Sequence, residues 1–459
     1  MSPIDRRSFL KSTAAAAAAV PFHNLLARSE GLLPRTSLDS LRTAGYGSLV
    51  DALDETTGLP LLKLPEGFRY VTFGWAGDVM SDGQRMPNKH DGMAAFPAGP
   101  DRVRLVRNHE TDIGTPFSRA AYDPHASGGT TTLEFDTRAG KFISAYGSLS
   151  GTLRNCAGGP TPWGSWLTCE ETTAYTHVPH GYVFEVPANG MGDPTPIRDM
   201  GRFSHEAIAV DPVTGYIYET EDPGASFMSL FGGGHKAGFY RFVPNISDRL
   251  SAGGRLFMLK VKRRSKVDLG DDYANGTTFD VEWVPIAKAD NPDRRSDDDN
   301  FVWNQGRALG AATFARLEGC WCGNDRRIYI VATDGGRGQG QIWVYDPAAE
   351  TISLLFQSPG KHVLNKPDHI TVSPRGGIVL CEDGSGEEFL HGLTTDGQIF
   401  PFALNNARLR GEPNGIAGDF TSAEWAGPCY SPDGEWLFAN IYDPGFTVAI
   451  TGPWQTAAL

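Results

Sequence analysis

From Leu133 onward the chain alternates apolar and polar positions in short runs. Each run breaks at an Asp or Ser, often followed by a Pro, and resumes after a Gly. LEFDTRAGKFIS (133–144), AVDPVTGYIYET (209–220), WVYDPAAETISLLF (343–356), TVSPRGGIVLCED (371–383) and CYSPDGEWLFANI (429–441) share this form. A period of two buries every second side chain against a sheet. Proline fixes φ at the turn and glycine takes the residue that needs positive φ, so the segments predict β-hairpins. The stretch 343–356 lacks the glycine and fits the pattern least well. Hairpins repeated at uneven intervals predict an all-β fold, a β-propeller with loop insertions, in preference to a β-sandwich.

Composition agrees with many short strands joined by tight turns, with 55 Gly, 31 Pro and 11% aromatic residues. The 459 residues, 40% hydrophobic and 21% charged, suit a globular chain with a substantial core and no separate second domain. A formal net charge of -13 repels nucleic acid and anionic membrane surfaces, and excess carboxylate suits hard cations such as calcium. Residues 261–300, with VKRRSK, DLGDDYANG and NPDRRSDDDN, predict a charged surface insertion, in part mobile. Residues 28–60 predict a linker with a short helix near Tyr46 to Leu53, leaving 61–459 for the propeller.

At the N-terminus, Arg6-Arg7-Ser8-Phe9-Leu10-Lys11 precedes the apolar run Ala14 to Pro21, too short for a bilayer span. This pattern predicts a twin-arginine export signal over 1–27, cut near Ala27, rather than a basic helix with a chance arginine pair. The partner implied is the twin-arginine translocase, and the destination is the periplasm or beyond. No other run is apolar enough to form a stable membrane span. In an exported protein the six cysteines could form up to three disulfides. Cys320 and Cys322, two apart on one strand, share a face and do not suit each other. Free, buried thiols are the structural expectation for every cysteine but Cys156.

Acidic and thiol clusters stand where strands are expected to end: Asn108-His109-Glu110, Asn155-Cys156 with Cys169-Glu170-Glu171, Ser204-His205-Glu206 and Arg316-Leu317-Glu318. Glu219-Thr220-Glu221-Asp222 and Cys381-Glu382-Asp383 follow apolar strands directly. Carboxylates converging on one channel repel each other unless cations neutralise them. Oxygen ligands suit calcium and a thiolate suits a transition metal such as iron, so the set predicts a mixed site. Histidine is too sparse here for a His-rich zinc site.

NCAGGPTPWGSWLTCEE, SHEAIAVDPVTGYIYETED, FARLEG, KPDHITVSPRGGIVLCEDG and GPCYSPDGEWLFANIYDPG, in that order behind a twin-arginine signal, resemble the PhoX-type alkaline phosphatase family. The resemblance runs from roughly residue 60 to 455. It implies a six-bladed propeller, exported folded, that hydrolyses phosphate monoesters at a site of Fe3+ and Ca2+; a monomer is expected. By motif, it implies Cys156 as the thiolate iron ligand and Glu171, Glu206 and Glu318 as iron and calcium ligands. Glu110, Glu221 and Asp368 are implied as further calcium ligands, and Cys169 as a packing residue. Arg316 is implied to hold the substrate phosphate, the plainer role being an ion pair with Glu318. One departure is PFALNNARL (401–409), where Leu404 stands at the place of an expected second clamping arginine, with Arg408 or Arg410 as substitutes. Two other readings follow: a metal-stabilised ligand-binding propeller with lost catalysis, and a calcium-dependent hydrolase of phosphodiesters or lactones. Ser118 and Ser204 are expected as turn residues, not nucleophiles.

Overall fold

A computed structural model describes residues 45–223 and 236–459; the expected export signal and most of the following linker lie outside them. All five hairpins form. Glycine takes the positive-φ position at Gly140, Gly215, Gly376 and Gly434, and in the glycine-free turn Glu350 takes it at φ 51.

The strands make six blades around one axis. Blade 1 runs from His90 to Thr152, blade 2 from Asn155 to Pro187 and blade 3 from His205 to Val261. Blade 4 runs from Leu317 to Gln357, blade 5 from Pro367 to Asn405 and blade 6 from Trp425 to Thr451. Their innermost strands, His90–Pro97, Asn155–Pro160, His205–Val210, Leu317–Cys322, Pro367–Val372 and Trp425–Tyr430, each pack on the next, and the last returns to the first. Inner strands such as His205–Val210 and Trp425–Tyr430 are buried at every position, whereas the peripheral Thr351–Gln357 alternates buried and half-buried. The ring closes because Arg69–Phe73 pairs with Phe446–Thr451, so an N-terminal strand completes the C-terminal blade.

Two expectations need correction. Leu49–Ala52, expected as helix, is a strand paired with Leu62–Pro65 on the outer edge of blade 5. The segment is too short to nucleate a stable helix, and Tyr46 fixes its entry by donating its hydroxyl to the Trp454 and Leu459 carbonyls. Within the expected insertion 261–300, Thr278–Pro285 is a strand that pairs with Gly254–Val261 on one side and Thr351–Gln357 on the other. Blades 3 and 4 are thereby joined into one nine-stranded sheet. No disulfide forms: all six cysteines are free, with Cys156 and Cys322 half-buried and the others buried.

Candidate metal centre

Every inner strand carries a register irregularity at its start, between His90 and Met93, Asn155 and Gly158, His205 and Ile208, Leu317 and Cys320, Pro367 and Ile370, and Ala426 and Cys429. A bulge leaves residues out of the ladder and re-aims their side chains. The first bulged residue is Asp91, Cys156, Glu206, Glu318, Asp368 and Gly427 in turn. Five blades thus offer a ligand-bearing side chain at an equivalent position. Blade 6 offers a glycine, and its backbone leaves no room for more: a Cβ on Gly427 would lie 2.3 Å from the Asp91 carbonyl oxygen, at φ +56.

Neighbouring blades lock these bulges. Asn108 donates to the Cys156 and Ala157 carbonyls, Thr220 to that of Glu318, Thr333 to that of Pro367, and Asn440 to that of Asp91. Each donor sits at the end of the second strand of the preceding blade.

At the centre, the Cys156 thiol donates to Glu206 Oε1 at 3.0 Å. Ligand atoms of Cys156, Glu171 and Glu206 lie within 4.8 Å of one another, as do those of Asp91, Cys156 and His369 and those of Glu206, Asp368 and His369. The Gly427 N–H donates to His369 Nδ1 at 2.8 Å. Nδ1 is therefore an acceptor and the ring proton sits on Nε2, which faces Glu206 and Asp91 at 3.6 Å each. At that distance Nε2 has no hydrogen-bond partner, and His369 belongs to two of the three clusters just described.

Burial pushes the Asp91, Glu171, Glu206 and Glu318 carboxyls up, and neighbouring carboxylates add to it. Burial likewise lifts Asp368 to about 7, with Glu206 and Asp383 adding to the rise. The Cys156 thiol is raised by burial, then by Asp91 and Glu206. Glu206 Oε2 and Asp368 Oδ1 are buried without a hydrogen-bond partner. Orphaned carboxylate oxygens beside a thiol, their ionisation disfavoured first by burial and then by one another, are a donor set that bound cations would complete.

Cations ring this acidic centre. Lys89, Arg154, Arg316 and Lys366 each immediately precede an inner strand, at φ 50, 49, 50 and 55. Each reaches back to a residue just after the second strand of the preceding blade. Lys89 donates to the Tyr442 hydroxyl at 2.8 Å, Arg154 to Glu110 at 3.2 Å, Arg316 to Asp222 at 2.6 Å, and Lys366 to Asp334. Arg154 also pairs with Glu171 at 2.9 Å, and Arg316 with Glu318 at 2.6 Å. A cleft of about 630 Å³ opens beside Arg154 and Glu171, walled by Tyr175, Ser204, Arg295 and Asp299.

The structure therefore brings together Cys156, Glu171, Glu206, Glu318 and Asp368, with Arg316 at their rim. Glu110 stands on the rim between Arg154 and Tyr442, whose hydroxyl it accepts. Glu221 lies outside the group: it ends the second strand of blade 3, and its carboxylate accepts the Gly238 N–H and the Tyr240 hydroxyl, both at 2.7 Å. Leu404 is buried on the fourth strand of blade 5, opposite Phe389 and Lys63, not on the inner ring. Arg408 and Arg410 point to solvent from a separate two-stranded ribbon, so neither stands in for a clamp at the centre. Ser118 and Ser204 are turn residues, bonded to Gly147 and Asp299. Sequence reasoning missed Asp91, His369 and the cations other than Arg316; the signal available was a basic residue two positions before Asp91, Cys156, Glu318 and Asp368.

The family model of alkaline phosphatase PhoX matches residues 44–145 and 141–445. The chain belongs to the PhoX alkaline phosphatase family. It is a metal-dependent phosphatase, and a twin-arginine signal, matched over residues 3–20, directs its export to the periplasm or beyond. No helix among the described residues is long and apolar enough to cross a membrane. Pseudomonas fluorescens PhoX in complex with vanadate, a transition state analogue, shares the fold at a TM-score of 0.64 and 16% identity, over 91% of this chain and 99% of that one. A gluconolactonase from Xanthomonas campestris aligns at a TM-score of 0.41 and 13% identity, over 89% and 98% of the two chains. Virginiamycin B lyase from Staphylococcus aureus aligns at 0.40 and 12%, over 84% and 99%. No curated protein matches the chain.

Proposed function

We propose that this phosphatase hydrolyses phosphate monoesters at a mixed iron and calcium centre. The observation that carries the reading is the convergence of one thiol and four carboxyls from bulges on five blades, with one oxygen of Glu206 and one of Asp368 left without a hydrogen-bond partner. Cys156, with Glu206 and Glu171, would hold iron, since a thiolate selects a transition metal. Glu318, Asp368 and Asp91 would hold calcium, with Glu110 at its edge. Bound there, such cations supply Lewis acidity toward phosphoryl oxygens and cancel the mutual repulsion of the carboxylates.

The rest is done by this chain's own groups. In the absence of cations Arg154 and Arg316 are held down by Glu171, Glu110, Glu318 and Asp222. Once those acids are otherwise neutralised, both guanidiniums are available to a phosphate dianion, and their planar forks match its oxygens. Arg154 thus takes the part that an arginine at position 404 was expected to play. Nε2–H of His369, buried 3.6 Å from Glu206 and Asp91 without a hydrogen-bond partner, would add the positive end of its dipole to the oxygen-rich centre. The polar cleft beside Glu171 receives the ester's leaving group.

The test is elemental analysis and the visible spectrum of the folded, exported protein, followed by chromogenic monoester, diester and lactone substrates. Iron with calcium, a thiolate-to-iron charge-transfer band lost in Cys156→Ala, and preference for the monoester are expected. Calcium without iron, together with diester or lactone turnover, would overturn this reading in favour of a calcium-dependent hydrolase.

A further inference from the structure

Away from the centre, two loops at the same end of the propeller meet over a buried carboxylate. One joins the strands Arg102–His109 and Gly128–Asp136 of blade 1 and carries Asp123 and His125. The other joins Ser165–Glu170 to Val183–Pro187 of blade 2 and carries His177 and His180. We propose that Asp123, His125 and His177 form a second, separate metal site for a divalent first-row transition ion such as zinc.

Geometry carries the proposal. Ligand atoms of the three side chains lie within 4.8 Å of one another. The two imidazoles come from different blades and stack, 3.7 Å apart between ring centres; because a ligating lone pair lies in its ring plane, one ring must turn about its Cβ–Cγ bond for both to aim at a single ion. The Asp123 side chain is fully buried, whereas His125 is 54% exposed, so an ion could enter from solvent. Asp123 is also built as an ionised, oriented ligand. Oδ2 accepts the Thr176 hydroxyl and, at 3.4 Å, the His177 N–H, and it faces His180 Nε2 at 3.3 Å. His180 is anchored in turn by Glu170, 2.6 Å from its Nδ1.

Oδ1 accepts one N–H, that of His125, and faces His125 Nδ1 at 3.4 Å. A carboxylate oxygen and an imidazole nitrogen at that distance need a cation or a proton between them. Two imidazoles and one carboxylate select zinc, nickel or cobalt over calcium, whose preference is for oxygen alone. Three protein ligands leave at least one position for water. The ion would clamp the blade 1 loop to the blade 2 loop, two residues from Tyr175 in the wall of the cleft.

The experiment titrates zinc into the exported protein carrying its native metals, by calorimetry and by metal analysis after dialysis. His125→Ala, His177→Gln and Cys156→Ala are compared with the parent, and melting without zinc confirms that each is folded. One zinc equivalent beyond the native metals is expected. It should bind roughly tenfold or more weakly in each histidine variant and unchanged in Cys156→Ala, and it should raise the melting temperature of the parent but of neither histidine variant. Zinc affinity unaltered by both histidine substitutions, uptake lost with Cys156 instead, or binding of protons alone would overturn the proposal.

Discussion

Removing the cations should make the stability of this protein fall as pH rises. Asp368 is lifted from an ordinary value of 3.8 to about 7, chiefly by burial. Asp91, Glu171, Glu206 and Glu318 move the same way for the same first reason. A carboxyl raised in the folded state binds its proton more tightly there than in the unfolded chain. Stability from such a group is complete below the unfolded value, is lost as pH climbs between the unfolded and folded values, and stays lost above. For Asp368 alone the rise corresponds to on the order of 4 kcal/mol, spent between about pH 4 and pH 7. Against a typical total of about 5–15 kcal/mol, with four more carboxyls pulling in the same sense, the stripped protein should hardly fold at alkaline pH. Cations take the place of those protons in the loaded protein, and its stability should be nearly flat over that range. Urea unfolding of native and chelator-treated protein, from about pH 4 to pH 8, measures both curves. A stripped protein whose stability is level or rises across that window, or a loaded one that declines in parallel, would refute the reasoning.

Arg316→Ala should lower kcat/KM by about two to three orders of magnitude with iron and calcium content unchanged. Loss of metal instead would make Arg316 a structural partner of Glu318. Arg154→Leu should raise KM and weaken product inhibition by inorganic phosphate roughly tenfold, the worth of one charge-assisted hydrogen bond, as measured by steady-state kinetics. Gly427→Ala and Gly434→Ala both place a side chain at positive φ, at +56 and +75; Gly434→Ala should cost about 1–2 kcal/mol in urea unfolding, and Gly427→Ala more, since its Cβ would meet the Asp91 carbonyl oxygen at 2.3 Å. Only Gly427→Ala should also release metal, because its Cβ displaces Asp91; equal metal content in the two variants would show that the bulge of blade 6 does not position the centre.

The hairpins were legible because their signal is local: alternation, a turn residue and a glycine suffice. Cys156, Glu206, Glu318 and Asp368 were legible as acids or thiols next to apolar strands. Asp91 was not, because HDGM reads as an ordinary turn until pairing with His109 and Arg107 shows the bulge that turns its carboxylate inward. Glu221 stands apart from the central group for a related reason. On a second strand its face is set by pairing with Phe239–Pro244, and that turns the carboxylate toward Tyr240 instead of the axis. The Tyr46 to Leu53 segment had too few residues to declare a period, so the open edge of blade 5 decided its form.

One repeated unit explains how the centre holds acids and bases together without simple mutual cancellation. Lys89-x-Asp91, Arg154-x-Cys156, Arg316-x-Glu318 and Lys366-x-Asp368 each place a base two residues before a ligand. In a regular strand, side chains two apart share a face and the pair would neutralise itself. Here the base sits at left-handed φ and the ligand in a bulge, so their directions are set separately. Most of the base's contacts then go to the preceding blade, to Glu110, Asp222, Asp334 or Tyr442. The ligand is left facing the axis, and only Arg316 folds back on its own Glu318. Arg316 on Glu318 at 2.6 Å and Arg154 on Glu171 at 2.9 Å are thereby the two bases in contact with the central acids, and theirs are the losses that the reaction should feel most.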